Sequence, residues 1–264
     1  MGRTTNIDFS EGAASNRYVT ALSRGLKILA SWRENDSWLT NSEISIRTGL
    51  PKPTVARMTY TLCADGYLKY SRQSGKYSPG NSMYIMGINF LTGIKVRKIA
   101  RPYMQELADQ FKASVSMGIN DGLSMVYIEN CHSDSPLTLG LDVGARLPLA
   151  KTAMGHSYLF TLPEKDQSKL MIDFENFYGE EWIKIQEGME ISRNQWKKLG
   201  FTTIVREWQG DISGIGATLV LNDGLRYSFN VGGLATALSK EHLVNDVGPR
   251  LIRMINILDS LARS

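Results

Sequence analysis

The stretch from residue 39 to residue 65 limits what this chain can fold into more than any other part of the sequence. Thr40 suits the start of a helix, because its side-chain oxygen can satisfy a free backbone N–H group. Gly49 suits a sharp turn, since glycine adopts a positive φ at little steric cost. Pro51 and Pro53 are compatible with the first turn of a second helix, where a missing N–H does no harm. The stretch therefore predicts two short helices joined by a tight turn.

The second helix has two different faces. Three apolar residues recur at helical spacing and predict its buried face: Val55, Met58 and Leu62. Thr54, Arg57 and Thr61 point the other way, and Lys52 lies at the helix start. Such a helix can lie in the major groove of DNA with its N-terminal residues on base edges. Taken alone, the stretch is also compatible with an ordinary pair of antiparallel helices, because the pattern is short and degenerate.

A basic hairpin follows the second helix and favours DNA binding. Gly66 is placed to end the helix, and residues 67–70 and 76–78 have the pattern of two strands around a turn at 72–75. A helix-turn-helix followed by such a hairpin is a winged helix. Residues 1–80 contain eleven lysines and arginines against six acidic residues, whereas the remaining 184 residues contain 19 against 20. This excess suits a phosphate-binding module, because neutralising phosphates releases counterions.

The sequence gives no sign of export or membrane insertion. The first 17 residues lack an apolar core, so they do not form a secretory signal, and we interpret them as a flexible arm. No apolar run approaches the ~20 residues that span a bilayer. Cys63 and Cys131 are too few for a disulfide framework. These features predict a cytoplasmic protein with reduced thiols.

The rest of the chain changes from helical to strand-like patterning near residue 113. Helices are predicted at 18–33, 81–93, 95–111, 149–162, from 163, at 178–198 and at 241–261. Strands are predicted at 114–120, 123–130, 137–142, 201–208, 212–221 and 226–233, with a loop at 143–148. Strands on both sides of a helical block predict an α+β domain with one antiparallel sheet. Because the helix at 81–93 is apolar nearly all round, we interpret it as a linker helix that also helps dimerisation.

No catalytic constellation stands out. His132, His156 and His242 do not have the spacing of metal ligands, and the glycines at 214 and 216 lie in a strand pattern rather than at a dinucleotide-binding turn. We therefore expect neither an enzyme nor a cofactor. An enzyme with a catalytic C-terminal domain and a nonspecific nucleic-acid-binding protein are the alternatives to a sequence-specific regulator.

One strand-to-helix junction, at residues 144–155, has the pattern of an anion site. Free N–H groups at a helix start bind anions, so a small carboxylic acid could dock near Ala153 and Met154 with Arg146 close by. The candidate residues here are Arg146, Leu147, Thr152, Ala153 and Met154. A plain tight turn is the alternative.

Over residues 18–262 the chain resembles the IclR family of bacterial transcriptional regulators. The N-terminal motifs are ALSRGLKIL, TGLPKPTVARMTYTL, DGYL and GKYSPG, and the C-terminal motifs are GARLPLAKTAMG, LGFTTIVRE and ISGIGATLVL. The resemblance implies a winged helix-turn-helix domain at 18–80, a linker helix at 81–93 and a GAF-like effector-binding domain at 94–264. It also implies a homodimer or a dimer of dimers, a near-palindromic operator in double-stranded DNA, and a small organic acid as effector.

The resemblance also implies which residues bind. The candidate DNA contacts, from the pattern and the resemblance together, are Thr40, Lys52, Pro53, Thr54, Arg57, Thr61, Arg72 and Lys76. Pro53 departs from the family's usual Ser or Thr and removes a hydroxyl and an N–H that would meet a phosphate. Backbone N–H groups of Ala153 and Met154 match the positions that hold a carboxylate in relatives. Side-chain positions further on match Ile204, Gly214, Asn230 and Gly232. Only Asn230 is polar, which predicts an effector with a hydrophobic body, such as an aromatic acid.

Overall fold

The chain divides into two compact units, Met1–Leu91 and Thr92–Ser264. The structure, a computed structural model, describes residues 16–33, 36–134, 140–208 and 210–263. The predicted arm at 1–17 therefore lies almost entirely outside the described residues, and so does half of the strand predicted at 137–142.

The first unit is a helix-turn-helix with a small antiparallel sheet. Its elements are α1 (Thr20–Leu29), β1 (Leu39–Thr40), α2 (Asn41–Thr48), α3 (Lys52–Ala64), β2 (Leu68–Ser71), β3 (Lys76–Pro79) and α4 (Asn81–Gly93), which runs past the unit's end. The strand order is β1-β3-β2. The winged helix is confirmed. The short β1, which pairs with β3, was not predicted because two residues carry no strand pattern.

Local chemistry fixes the two helices of the motif. Thr40 accepts a hydrogen bond from the Glu43 N–H at 3.2 Å, and Glu43 Oε2 accepts from the Thr40 N–H at 2.7 Å. This reciprocal cap starts α2. Gly49 ends it with a φ of 69°. Pro51 precedes α3 and Pro53 lies in its first turn, where neither proline removes an intrahelical bond.

The core of the first unit is small. Its buried members are Ile28, Leu39, Ile44, Val55 and Leu68. The apolar residues of α1 and of its N-cap are only partly buried, because Ile28 faces this core whereas Val19, Leu22 and Leu26 are exposed. The helix is also shorter than the predicted 18–33.

The second unit is α+β with one antiparallel sheet, as predicted. Its elements are α5 (Lys95–Phe111), β4 (Ser114–Asp121), β5 (Ser124–His132), β6 (Arg146–Pro148), α6 (Ala153–Phe160), α7 (Glu164–Tyr178), α8 (Trp182–Leu199), β7 (Thr202–Val205), β8 (Ile212–Val220), β9 (Arg226–Leu234), α9 (Lys240–His242) and α10 (Gly248–Arg263). The strand order is β6-β5-β4-β9-β8-β7. Helix α6 packs on β8 and β9, and α5 and α10 pack on the sheet and on each other.

Alternation along β8 separates the two faces of this sheet. Gly216 lies beneath the start of α6, because a Cβ on it would be 2.4 Å from the Ala153 carbonyl oxygen. The odd-numbered Ile215 and Ala217 are buried on the other face, where we place α5 and α10.

The third strand of the sheet lies later than predicted. Residues 140–142 are not in a strand, whereas Arg146–Pro148, predicted as a loop, forms β6 on the edge of β5. The Gly144 N–H donates to the Tyr127 carbonyl at 2.8 Å, so the chain joins β5 from that point. This pairing is non-local, and no local pattern in the sequence records it.

Three helix boundaries also differ from the prediction. The helix predicted at 149–162 is a 3₁₀ turn (Leu149–Lys151) followed by α6, because Thr152 has extended backbone angles and caps the new helix. A second 3₁₀ turn, Gly179–Glu181, precedes α8. A π-helical turn, Leu243–Val247, separates α9 from α10 in the predicted closing helix.

Candidate functional site

Helix α3 is held by one face and offers the other to solvent. Val55 and Thr59 are completely buried. Thr59 was not predicted in the core; its hydroxyl donates to the Val55 carbonyl at 2.9 Å, which lets a polar side chain be buried. Met58 and Leu62, predicted on this face, are half-buried against the same core.

The opposite face of α3 contains most of the predicted DNA contacts. Lys52, Pro53, Arg57 and Thr61 are exposed, and Thr54 is half-buried. The structure therefore brings the predicted residues of α3 together at one surface. Neither Lys52 nor Arg57 forms an ion pair with any described residue, so both charges are available to an external anion.

Tyr60 extends this surface and was missed. Its side chain is 77% exposed, which is unusual for an aromatic residue on a helix of the core. It follows Arg57 by three residues and Pro53 by seven, so the helical period alone places it on the outward face. The surface defined by Lys52, Pro53, Arg57, Tyr60 and Thr61 is called the α3 face below.

The remaining predicted DNA contacts lie around the hairpin. Arg72 is exposed in the turn between β2 and β3, and Lys76 is half-buried where β3 pairs with Thr40. The Thr40 hydroxyl donates to Glu43 Oε2 at 2.7 Å, so its proton is engaged in the cap of α2. These hydrogen bonds from Thr40, with the nearby charge of Lys76, lower the pKa of Glu43.

A cavity in the second unit collects most of the predicted effector residues. Its enclosed volume is small, about 30 Å³, and the space between its lining residues that protein atoms do not fill is about 360 Å³ when open solvent is included. It is lined by Tyr127, Leu147, Thr152, Ala153, Ile204, Trp208, Ile212, Ser213, Gly214, Asn230 and Gly232. All the predicted positions are present except Arg146 and Met154.

The start of α6 forms the roof of this cavity and is fixed tightly to the sheet. The Thr202 hydroxyl donates to the Ala153 carbonyl at 2.7 Å, and a Cβ on Gly216 would lie 2.6 Å from the Met154 nitrogen. The Thr152 hydroxyl accepts from the Gly155 N–H at 3.2 Å. The N–H groups of Ala153 and Met154 belong to the first turn of α6, where N–H groups have no acceptor within the helix.

Two predicted residues are elsewhere. The prediction that Arg146 lies close to a bound carboxylate is corrected by the structure. The Arg146 side chain does not line the cavity and instead forms an ion pair with Asp121 at 2.7 Å on the surface. Alternation along β6 explains this, since Leu147 takes the inward position. The Met154 side chain is fully buried against Gly118, so this residue offers only its backbone.

Four lining residues were missed, and two of them are large aromatics. Tyr127 is almost completely buried, which raises its pKa to about 12. Trp208 lies in the link between β7 and β8, and Ile212 is the first residue of β8. By alternation, Ser213 faces the other side of the sheet and contributes backbone to the cavity. The apolar patterns around Tyr127 and Ile212 predict strands but not which residues of each strand face a cavity.

Comparison with known proteins identifies the chain. The family model described as "Bacterial transcriptional regulator IclR C-terminal" matches residues 88–231, which is more than half of the chain. The chain belongs to the IclR family. The "IclR helix-turn-helix domain" model matches residues 21–72 of this IclR-family protein.

Individual IclR-family relatives agree over nearly the whole length. The HTH-type transcriptional regulator TsaQ1/TsaQ2 of Comamonas testosteroni is 30% identical over 249 residues, which are 93% of this chain and 89% of that protein. The crystal structure of an IclR family transcriptional regulator from Brucella abortus has 34% identity and a TM-score of 0.88, and covers 96% of this chain and 95% of that one. The Pca regulon regulatory protein of Pseudomonas putida is 28% identical over 148 residues, which are 56% of this chain and 50% of that protein.

In this IclR-family chain a buried carboxylate on the six-stranded sheet forms ion pairs with α5. Glu129 on β5 is 3% exposed and pairs with Arg97 at 3.0 Å and with Arg101 at 2.5 Å. Arg97 also donates to the Ile128 carbonyl at 2.9 Å. Both arginines lie on the helix that follows α4 in the chain.

None of the described helices is both long and apolar enough to traverse a membrane.

Proposed function

We propose that this protein is an effector-responsive transcriptional regulator that binds a near-palindromic operator in double-stranded DNA as a homodimer, with a dimer of dimers as the alternative. Its effector is a small organic acid with a hydrophobic, aromatic body, and its target is a catabolic operon. The protein regulates by binding rather than by catalysis. Because it acts on the chromosome, its place is the cytoplasm, in association with the nucleoid.

The observation that carries this proposal is the α3 face. It belongs to the second helix of a helix-turn-helix, its cations are free of ion pairs with described residues, and its other side is fixed to a core. A helix presented in this way can insert its N-terminal half into a major groove. Arg57 has the donor geometry to read guanine, and Lys52, Arg72 and Lys76 are suited to phosphates.

Exposed apolar surfaces in the first unit support a dimer. Val19, Leu22 and Leu26 of α1 are 60%, 61% and 57% exposed. Helix α4 exposes Tyr84, Ile85 and Phe90. Contiguous apolar surface of this kind marks an association site. We propose the organisation of the chain as an arm at 1–17, a DNA-binding domain at 18–80, a linker helix at 81–93 and an effector domain at 94–264.

The cavity supports an acid effector. The N–H groups of Ala153 and Met154 at the start of α6 suit a carboxylate, and Tyr127, Trp208 and Ile204 provide an apolar wall for the body of the ligand. A ligand held here acts as a switch only if its affinity differs between the DNA-bound and free arrangements.

Selection of bound sequences from random double-stranded DNA, with and without a panel of acids, tests the proposal. We expect enrichment of a near-palindrome with half-sites about 34 Å apart, and a change in enrichment when an aromatic acid is present. Calorimetry with the same panel tests the effector class. Absence of any enriched sequence would contradict the regulator proposal, and preference for glyoxylate over every aromatic acid would contradict the effector class.

A further inference from the structure

A second cavity lies beside the candidate effector cavity in the second unit. Its walls are α8, the 3₁₀ turn before α6, and the end of β7 with the residues that follow it. The space between Ala150, Gly188, Ile191 and Arg206 is called the α8 cavity below. Its volume is about 760 Å³, whereas the candidate effector cavity encloses only about 30 Å³. Sites for small molecules typically measure about 300–1,000 Å³, so the α8 cavity has room for a ligand.

The α8 cavity has apolar side chains with a gap between them. Ile185 and Ile191 of α8 and Ile204 of β7 line it. Gly188 is three residues from each of the two α8 isoleucines. Outside the backbone of its own helix, a Cβ on Gly188 would have one described neighbour within 4 Å, Glu207 Oε2 at 3.6 Å. Ile191 is 70% exposed. An apolar group of a ligand would fill this gap and remove apolar surface from water.

Six charged side chains line the α8 cavity, and two of them neutralise each other. Lys151 Nζ lies 2.8 Å from Glu181 Oε2. The four that form no ion pair with any described residue are Lys184, Glu187, Arg206 and Glu207. A ligand with a single charge would face two like charges as well as two opposite ones. A ligand with an ammonium and a carboxylate group finds a partner for each, and each such exposed pair contributes up to about 1 kcal/mol.

His156 adds an acceptor that lacks a donor. This residue lines the α8 cavity and is 2% exposed. Its Nε2 lies 2.8 Å from the Ala150 carbonyl oxygen, which can only accept, so Nε2 carries the ring hydrogen. Nδ1 is then an acceptor, and it has no partner among the described residues. Burial keeps the ring neutral at pH 7 by lowering its pKa to about 4. An ammonium group, which only donates, suits this wall of the cavity.

The two cavities share a wall. Ile204 lines both, Arg206 and Glu207 line the α8 cavity, and Trp208 lines the candidate effector cavity. These residues form one continuous segment at the end of β7. A ligand in either cavity therefore contacts this segment. If one ligand changes the affinity for the other, the second changes the affinity for the first by the same factor.

We propose that the α8 cavity is a second ligand site, which takes an apolar α-amino acid as a co-effector. The carboxylate of the ligand lies with Lys184 and Arg206. Its ammonium group lies with Glu187, Glu207 and His156 Nδ1, and its side chain lies against Gly188. The binding site stands independently of the proposed function, whereas the co-effector role rests on it.

Calorimetry on the full chain with L-phenylalanine, 3-phenylpropionate and 2-phenylethylamine tests the ligand class. The three share a ring and a two-carbon chain, and the last two each lack one charge. Only the binding that Gly188→Leu abolishes is assigned to the α8 cavity, because the acid also suits the candidate effector cavity. We expect L-phenylalanine to bind at this site at least roughly fivefold tighter than either analogue. Equal affinities, a preference for either analogue, or no binding of L-phenylalanine would overturn the proposal.

Substitution of Gly188 tests the position of the site. Leucine is favoured over glycine inside a helix by up to about 1 kcal/mol, so Gly188→Leu should fold. We expect L-phenylalanine binding to fall at least roughly tenfold in this variant, with benzoate binding unchanged. The matched control is Gln186→Leu, which introduces the same side chain at an exposed position of α8 that does not line the cavity. Wild-type binding of L-phenylalanine in Gly188→Leu, or an equal loss in Gln186→Leu, would refute the assignment.

Benzoate affinity, measured with and without saturating L-phenylalanine, tests the co-effector role. We expect a change of at least about fivefold in wild type and none in Gly188→Leu. An unchanged benzoate affinity in wild type would contradict this role.

Operator binding distinguishes the inference from the proposed function. A protein that binds L-phenylalanine in the α8 cavity but selects no DNA sequence would contradict the proposed function and leave the second site intact. A protein whose operator binding responds to an aromatic acid, but which binds no amino acid, would overturn the inference and leave the regulator proposal intact.

Discussion

The close contact between Gly216 and the start of α6 gives a sharp prediction about the effector site. In Gly216→Ala the new Cβ would lie 2.4 Å from the Ala153 oxygen and 2.6 Å from the Met154 nitrogen. Non-bonded carbon contacts are favourable only from about 3.5 Å, so the helix start must move by about 1 Å. Overpacking of this kind costs about 1–3 kcal/mol, which lowers the melting temperature of a domain this size by roughly 2–12 °C.

Gly214→Ala is the matched control, because it makes the same substitution two residues away on the same strand. Its Cβ would lie 3.2 Å from Asn230 Oδ1, a side-chain atom that can adjust, and would occupy part of the cavity that Gly214 lines. We expect near wild-type thermal stability with weakened acid binding for Gly214→Ala, and losses of both for Gly216→Ala. Calorimetry and thermal unfolding measure the two effects. Wild-type stability and acid affinity in Gly216→Ala would refute this account of the roof of the cavity.

Three further predictions concern stability. Burial lowers the pKa of His156 to about 4 in the folded protein, from 6.5 in the unfolded chain. As the pH falls, the unfolded chain therefore takes up the proton first. The free energy of unfolding consequently falls by about 2 kcal/mol between neutral pH and pH 5. His156→Leu should lose that part of the pH dependence in denaturant titrations, and an unchanged slope would count against it. Glu129→Gln should lower the free energy of unfolding in urea by about 2–3 kcal/mol. Asp259→Asn, which removes the carboxylate of a partly exposed ion pair, should lower it by no more than about 0.5 kcal/mol. Equal losses would contradict the buried role of Glu129. Thr40→Ala should destabilise α2 by about 1 kcal/mol and Thr40→Ser much less, so equal shifts in thermal unfolding would rule out the cap.

The first unit was predictable because its signals are local. Thr40 and Glu43 are three residues apart, and Gly49 and the two prolines act on their own backbone. The effect of each residue can therefore be predicted from its neighbours in the sequence. Thr59 was missed because its polarity suggests the surface, whereas a hydrogen bond to Val55 permits its burial.

The cavity was predictable only in part, because it depends on pairing between distant segments. The junction at Ala153 has a local signature, and the family resemblance located Gly214, Asn230 and Gly232. Tyr127 faces the cavity after an irregularity in the β4–β5 pairing between Met117 and Gly118, and a shift of one residue exchanges the faces of a strand. No local pattern specifies such a shift, which is why the largest polar side chain of the cavity was missed.

The titration of a selected operator with protein, followed by fluorescence anisotropy, tests the central claim that the α3 face reads DNA. The comparison is between wild type, Arg57→Ala and Arg253→Ala, an equal loss of charge at an exposed residue of α10. We expect Arg57→Ala to weaken operator binding by about 1–3 kcal/mol, which is roughly 5- to 150-fold, and to relax sequence preference, while Arg253→Ala binds like wild type. Unchanged affinity and sequence preference in Arg57→Ala would contradict the account.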